Sequence, residues 1–266
     1  MERLTTLSYD SVESFRHEIT TTSDNRVNFD LKQVAFELMN RCQEIFDSCE
    51  FKSYEIDCCS HFFPVFTETG FCYTFNSRHY EKKIPWNNEN IQPFHIHYIK
   101  ETDPKWSLKF SVKGALINMP VIIFFLKLNK KKVLINPFQI YILNSDELVG
   151  LDTQPQHVWD YKVNKIAFSV KQTYTTDDTR QLSVKQRHCV FPDETKLQID
   201  DIYTITGCNS QCRMDNSMRL CKCIPHFYPQ MGQYRHCTVE QWVCIHDNLK
   251  SIKNVDHCDC HLGCFN

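Results

Sequence analysis

Ten of the fifteen cysteines in this 266-residue chain fall in its last 78 residues: Cys189, Cys208, Cys212, Cys221, Cys223, Cys237, Cys244, Cys258, Cys260 and Cys264. Cytosolic thiols are kept reduced, and a reduced cluster this dense is an oxidation hazard unless it holds metal. The segment is therefore either a disulfide-stapled extracellular module or a metal site. That choice limits every fold open to the chain.

The spacing favours bridges. Cys208 and Cys212 are four apart, so on a helix both sulfurs lie on one face, one turn apart. Cys258 and Cys260 are two apart, so on an extended segment they share one face at a similar separation. The two pairs match rung to rung, Cys208 with Cys260 and Cys212 with Cys258. Cys189 and Cys264 then stand outside them, and Cys221 with Cys244 and Cys223 with Cys237 inside. This gives five nested bridges, while other connectivities stay open to a sequence with this many cysteines. Each bridge contributes roughly 3–4 kcal/mol by the loop-entropy estimate, which holds a short helical module rigid without a large core. Zinc is the alternative, because His226, His236, His257 and His261 sit among the cysteines. Structural zinc sites favour short Cys-x2-4-Cys knuckles. Cys208 and Cys212 have that spacing, but Cys221-x-Cys223 and Cys258-x-Cys260 are tight for one ion. The histidines read as surface side chains, and no metal or cofactor is expected.

Apolar residues make up 42% of the chain, enough for a real core, and the net charge of -2 argues against a nucleic-acid binder that relies on a positive field. Lys130, Lys131 and Lys132 form the one sharp basic run and read as a solvated turn. The first six residues carry no basic or apolar leader pattern, so no signal peptide is expected. The longest apolar run, Ala115 to Leu126, contains Asn118 and Pro120 and falls short of the roughly 20 residues a bilayer span needs. Residues 1–27 are polar and read as loop. Residues 29–46 read as an amphipathic helix through Leu31, Val34, Leu38, Cys42 and Ile45, capped by Asn28 or Asp30. Strands are expected where Trp106, Leu108, Phe110 and Val112 alternate, over Val121–Leu128 and Val133–Leu143, and where Ile166, Phe168 and Val170 alternate. No motif supports an enzyme. Cys72 reads as structural rather than as a nucleophile, and Asp177-Asp178 and Asp200-Asp201 read as solvated carboxylates.

Several motifs resemble one family. Tyr203-Thr204-Ile205-Thr206-Gly207-Cys208-x3-Cys212-x8-Cys221-x-Cys223-Ile224-Pro225, followed by Cys237, Cys244 and Cys258-x-Cys260-x3-Cys264, resembles the thumb of the degenerin/epithelial (amiloride-sensitive) sodium channel family. Arg187-His188-Cys189-Val190-Phe191-Pro192 is similar to the palm strand leading into it. Gly70-Phe71-Cys72-Tyr73-Thr74-Phe75-Asn76 matches the family's G-x-C-Y-T-F-N signature. Cys42-x6-Cys49 with Cys58 or Cys59 resembles the finger of the insect pickpocket branch.

The resemblance implies an α+β fold: a hand-like channel ectodomain with a central β palm and β-ball, a helical finger and a disulfide-stapled helical thumb. It divides the chain into a polar N-terminal segment (1–28), a finger and knuckle region with part of the β-ball (29–100), a mainly β palm and β-ball region (101–192) and a cysteine-rich thumb (193–266). It implies the same five thumb bridges as the spacing does. It pairs Cys49 with Cys58 or Cys59, leaves Cys42 unassigned, and leaves Cys72 without the partner that family members place just after their first membrane helix. Both membrane helices, the Gly-x-Ser filter and the intracellular His-Gly motif are absent from these residues. Gln186 stands where acid-sensing members carry Trp, and no Asn-x-Ser/Thr sequon is present. The implied function is the extracellular part of a ligand-, proton- or force-gated sodium channel subunit. Its partners would be sodium ions, the other subunits of a homo- or hetero-trimer and, in the full-length form, the plasma membrane; nucleic acid is not among them. The alternatives are a secreted disulfide-rich binding protein or pore-less decoy, and, further behind, an intracellular zinc-binding module.

Overall fold

The computed structural model describes residues 8–9, 11–12, 30–84, 96–97, 106–113, 138–158, 163–168 and 174–264. The helix expected over 29–46 is shorter and broken. Helix α1 (Leu31–Leu38) starts at Asp30, whose carboxylate accepts from the backbone N–H groups of Lys32 and Gln33, and it buries Leu31, Ala35 and Phe36. The chain is extended at Met39, re-forms one turn as α2 (Cys42–Ile45) and passes directly into strand β1 (Phe46–Phe51). Helical spacing of apolar residues loses here to strand pairing, because β1 lies between β2 (Tyr54–Ile56) and β5 (Leu108–Val112), antiparallel to both.

Strands β3 (Phe62–Thr67) and β4 (Gly70–Phe75) form a second antiparallel hairpin, in register from Phe62 opposite Phe75 to Thr67 opposite Gly70. β6 (Phe138–Ile140) and β7 (Gln156–Val158) form a third. Of the other expected strands, 121–128 and 133–137 lie outside the described residues, as do Lys130, Lys131, Lys132 and Val170. Ile166 and Phe168 are exposed and belong to no strand, so their alternation does not mark one. Further along the chain come α3 (Val184–Arg187), β8 (Cys189–Val190), α4 (Ile205–Cys221), α5 (Trp242–Asp247), α6 (Leu249–Lys253) and β9 (Leu262–Gly263), with β9 parallel to β8.

The β3–β4 hairpin serves two cores. Its Phe66 and Phe71 pack with α1 and with Met214, Ile224, Trp242, Ile245 and Ile252 of the cysteine-rich segment. Its Phe62, Tyr73 and Phe75 pack around Cys42, Phe46, Cys49 and Cys58. Tyr9 and Val12, in the stretch expected to be loop, are 0% and 1% exposed in the first of these cores, with the Tyr9 ring edge-on to Phe227. The hairpin turns at Gly70 with φ +127°, a conformation L residues rarely adopt. Gly70→Ala is expected to cost about 1–3 kcal/mol, read as a lower denaturant midpoint.

Candidate functional site

Helix α4 is the hub of the cysteine-rich segment. Thr204 Oγ1 caps it by accepting from the Gly207 N–H at 3.0 Å. A Cβ on Gly207 would meet Thr204 Oγ1 at 2.9 Å and Leu197 Cδ1 at 3.0 Å, so glycine permits this close start. The structure carries seven disulfides. Cys208 joins Cys260 and Cys212 joins Cys258, fixing one face of α4 to the turn and connecting chain before β9. Cys221 joins Cys244 of α5, Cys223 joins Cys237, and Cys189 joins Cys264 across β8 and β9. Asn216, one turn beyond Cys212, donates from Nδ2 to the Asn254 carbonyl at 3.2 Å and continues the ladder as a hydrogen bond. At the other end of the chain, Cys42–Cys59 and Cys49–Cys58 tie α2 and β1 to the adjacent cysteines of the 58–60 turn.

A different face of α4 holds a buried ion pair. Arg213, with a side chain 1% exposed, donates from Nη1 to Glu68 Oε2 at 2.7 Å and from Nη2 to Asp152 Oδ2. Glu68 lies in the turn between β3 and β4, and its other oxygen accepts from the Tyr228 hydroxyl. The Leu151 N–H also donates to Glu68 Oε2, at 2.8 Å. Tyr9 extends the network, its hydroxyl 3.2 Å from Ser217 Oγ and donating to Tyr228 at 3.3 Å. Burial first, then the Glu68 charge, pushes the Tyr9 and Tyr228 hydroxyls far above the usual phenol range, so both stay protonated donors. Burial opposes the charge on Arg213, but the carboxylates of Glu68 and Asp152 outweigh it and hold the guanidinium ionised. The network thus joins the disulfide-stapled helix to the hairpin that carries the G-x-C-Y-T-F-N residues.

Those residues have structural partners. Phe71 is core, and the Tyr73 hydroxyl donates to the Asn40 carbonyl at 2.9 Å. Thr74 lies opposite Phe63 in the ladder, and Phe75 packs edge-on to Phe51. Asn76, in the left-handed region at φ 54°, accepts from the His97 N–H at 2.7 Å and donates to the His97 carbonyl at 2.9 Å. Cys72 is the one cysteine outside a bridge, and burial pushes its thiol up to about 11, which makes it a poor nucleophile at neutral pH.

Two expectations are corrected. Asp200 is not solvated: its side chain is 4% exposed and pairs with Arg78 at 3.5 Å and His79 at 3.2 Å. Burial pushes its carboxyl up, but these partners and the Ile202 N–H outweigh burial and hold it below the usual range. His226 is not a surface side chain: it is 2% exposed among Phe66, Phe227 and Trp242. Burial, then the nearby charges of His236 and Lys32, pushes His226 down to about 3. The folded chain therefore holds it neutral while the unfolded chain takes the proton first, so its contribution to stability is full above about pH 6.5 and is lost as pH falls toward 3. Between pH 7 and pH 5 the loss is on the order of 2 kcal/mol. His226→Phe is expected to remove that part of the pH dependence in denaturation measured at both values.

A mixed helix-and-sheet module stapled by nested disulfides defines a class, and comparison with known proteins places the chain within it. The family model for the amiloride-sensitive sodium channel matches residues 1–266. The chain is 24% identical over 243 residues to sodium channel protein Nach of Drosophila ananassae, covering 89% of this chain and 43% of that protein. It is 23% identical over 250 residues to Nach of Drosophila melanogaster, covering 89% and 45%. To pickpocket protein 19 of Drosophila melanogaster it is 26% identical over 222 residues, covering 80% and 41%. The chain belongs to the amiloride-sensitive sodium channel family, which is a family of ion channels and not of enzymes, and it spans less than half the length of these relatives.

Proposed function

We propose that this chain is the extracellular part of a sodium channel subunit of the plasma membrane. In this reading residues 29–100 are finger and knuckle with part of the β-ball, 101–192 palm and β-ball, and 193–266 the thumb of a hand-like ectodomain. The observation that carries it is the mechanical character of α4: a helix cross-linked at Cys208, Cys212 and Cys221, and anchored through Arg213 to the β3–β4 hairpin. A rod held this way passes a displacement on rather than absorbing it, as a lever between a sensing surface and a pore requires. No helix among the described residues is long and apolar enough to cross a membrane, so sensing and transmission are assigned to these residues and conduction to membrane helices of the subunit. Ligand, proton or force would act on finger and thumb, sodium would be the permeant ion, and the subunit would work in a homo- or hetero-trimer.

The test is expression of the coding region containing this chain in oocytes, alone and with a pickpocket subunit. The expected result is an inward sodium current blocked by amiloride, with residues of the chain reached by impermeant label on intact cells. A chain released to the medium with no current supports the secreted binding protein instead, and a chain retained in the cytosol with free thiols and bound zinc supports the zinc module. Either outcome overturns the channel reading.

A further inference from the structure

The Cys212–Cys258 rung differs from its neighbours in having a histidine against it. The sulfurs of Cys212 and Cys258 and a ring nitrogen of His257 all lie within 4.8 Å of one another. Cys212 is buried, Cys258 half-buried and His257 exposed, so the cluster opens to solvent at one side. The buried Asn216 amide approaches the Cys212 sulfur at 3.8 Å, placing a donor beside it.

We propose that this rung is a redox-controlled site for a thiophilic divalent cation of the zinc class, closed as a disulfide and competent for metal once reduced. The inference does not depend on the chain being part of a channel. A dithiol attacks the accessible Cys258 sulfur, the S–S bond breaks and Cys212 leaves as a thiolate. The second thiol of the reductant then releases Cys258, so two electrons pass to the protein sulfurs and the reductant departs as its own disulfide. A zinc ion then takes the two sulfurs as thiolates and His257 as a neutral imidazole, and two thiol protons go to solvent. Two sulfurs and one nitrogen with an open fourth position is a recognised zinc arrangement.

The geometry suits the exchange. Thiolates at about 2.3 Å from a tetrahedral ion stand about 3.7 Å apart. The Cα atoms of Cys212 and Cys258 are 6.1 Å apart, a spacing that allows the sulfurs to separate around an ion by rotation of the side chains. The Cys208–Cys260 rung, one helical turn away, keeps α4 and the 257–260 stretch in register while the second rung is open. Histidine is what separates this rung from the others: among the described residues, no other set of three such ligands meets the same geometry. Metal would then re-close the cross-link that reduction opened, making the stiffness of the ladder answer to both redox state and metal.

The experiment uses the purified oxidised chain and a limiting dithiol under argon. Newly freed thiols are alkylated in one portion and mapped by mass, and Co2+ is added to another. Cys212 and Cys258 are expected among the labelled cysteines, and Co2+ is expected to give thiolate-to-metal charge-transfer and tetrahedral d–d bands that the oxidised chain does not give. Exposed His257 can be replaced without opening the core, and His257→Ala is expected to abolish the d–d bands while the labelling of Cys212 and Cys258 stays the same. Failure of Cys212 and Cys258 to be labelled after reduction overturns the proposal. So does the absence of cobalt bands in the reduced chain, or their persistence in His257→Ala.

Discussion

Arg213→Met is expected to destabilise the folded chain by about 3–5 kcal/mol, read from chemical denaturation with all bridges intact. The magnitude follows from what the substitution leaves behind. Glu68 is 2% exposed, and without the guanidinium its carboxylate keeps the Leu151 N–H and the Tyr228 hydroxyl but loses its buried countercharge. Asp152, whose side chain is 44% exposed, returns to solvent at little cost, so the loss belongs to the Glu68 side of the network. A second variant separates charge from packing. In Arg213→Met with Glu68→Leu no buried charge remains, and the cost is expected to fall below that of Arg213→Met alone plus Glu68→Leu alone. A cost under about 1 kcal/mol for Arg213→Met would put the pair in the range of a surface salt bridge, and the hairpin would then not be tied to α4. Gly150 adds an independent check, since a Cβ there would meet Glu68 Oε2 at 3.1 Å and press on the same carboxylate.

The network was not legible in the sequence for a physical reason. A helix usually declares its buried side through an apolar stripe, but α4 buries Ser210, Arg213, Asn216 and Ser217 along with Met214, Cys212 and Cys221. Cross-links and hydrogen bonds do there what apolar burial does elsewhere, so periodicity finds nothing to read. The partners gave no signal either: Glu68 sits 145 residues from Arg213 and Tyr9 sits 208 from Ser217. What could be read was whatever depends on local spacing. The four-residue step from Cys208 to Cys212 matches a helix face, and the structure has both on α4, whereas Cys258, expected on an extended face, sits in a bend that closes the 255–258 turn. The alternation of Leu108, Phe110 and Val112 likewise corresponds to β5. Where distant pairing competes with local spacing the reading fails, as at Cys42 to Cys49, where the apolar positions suit a helix but bridges to Cys59 and Cys58 accompany a turn of helix followed by a strand.

The nested order of the ladder makes its rungs unequal to the sum of their separate loops, and this gives the second large effect. Cys208–Cys260 spans 52 residues and Cys212–Cys258 spans 46, so counted alone each would contribute about 4 kcal/mol by loop entropy. They are not alone. With Cys212–Cys258 in place, Cys208–Cys260 closes only the four residues on the α4 side and the two on the other, an effective loop of about six. Replacing both Cys208 and Cys260 with Ser is therefore expected to cost about 2 kcal/mol. Replacing Cys212 and Cys258 as well removes a loop that, measured through the Cys221–Cys244 bridge, is about 23 residues long, and is expected to cost a further 3–4 kcal/mol or so. The four-serine chain should thus fall about 5–6 kcal/mol below the parent in denaturant, with the larger step coming second. Two equal steps of about 4 kcal/mol would mean that the rungs act as independent loops. The unequal steps follow from the nesting itself, because each bridge shortens the loop that its neighbour closes in the unfolded chain.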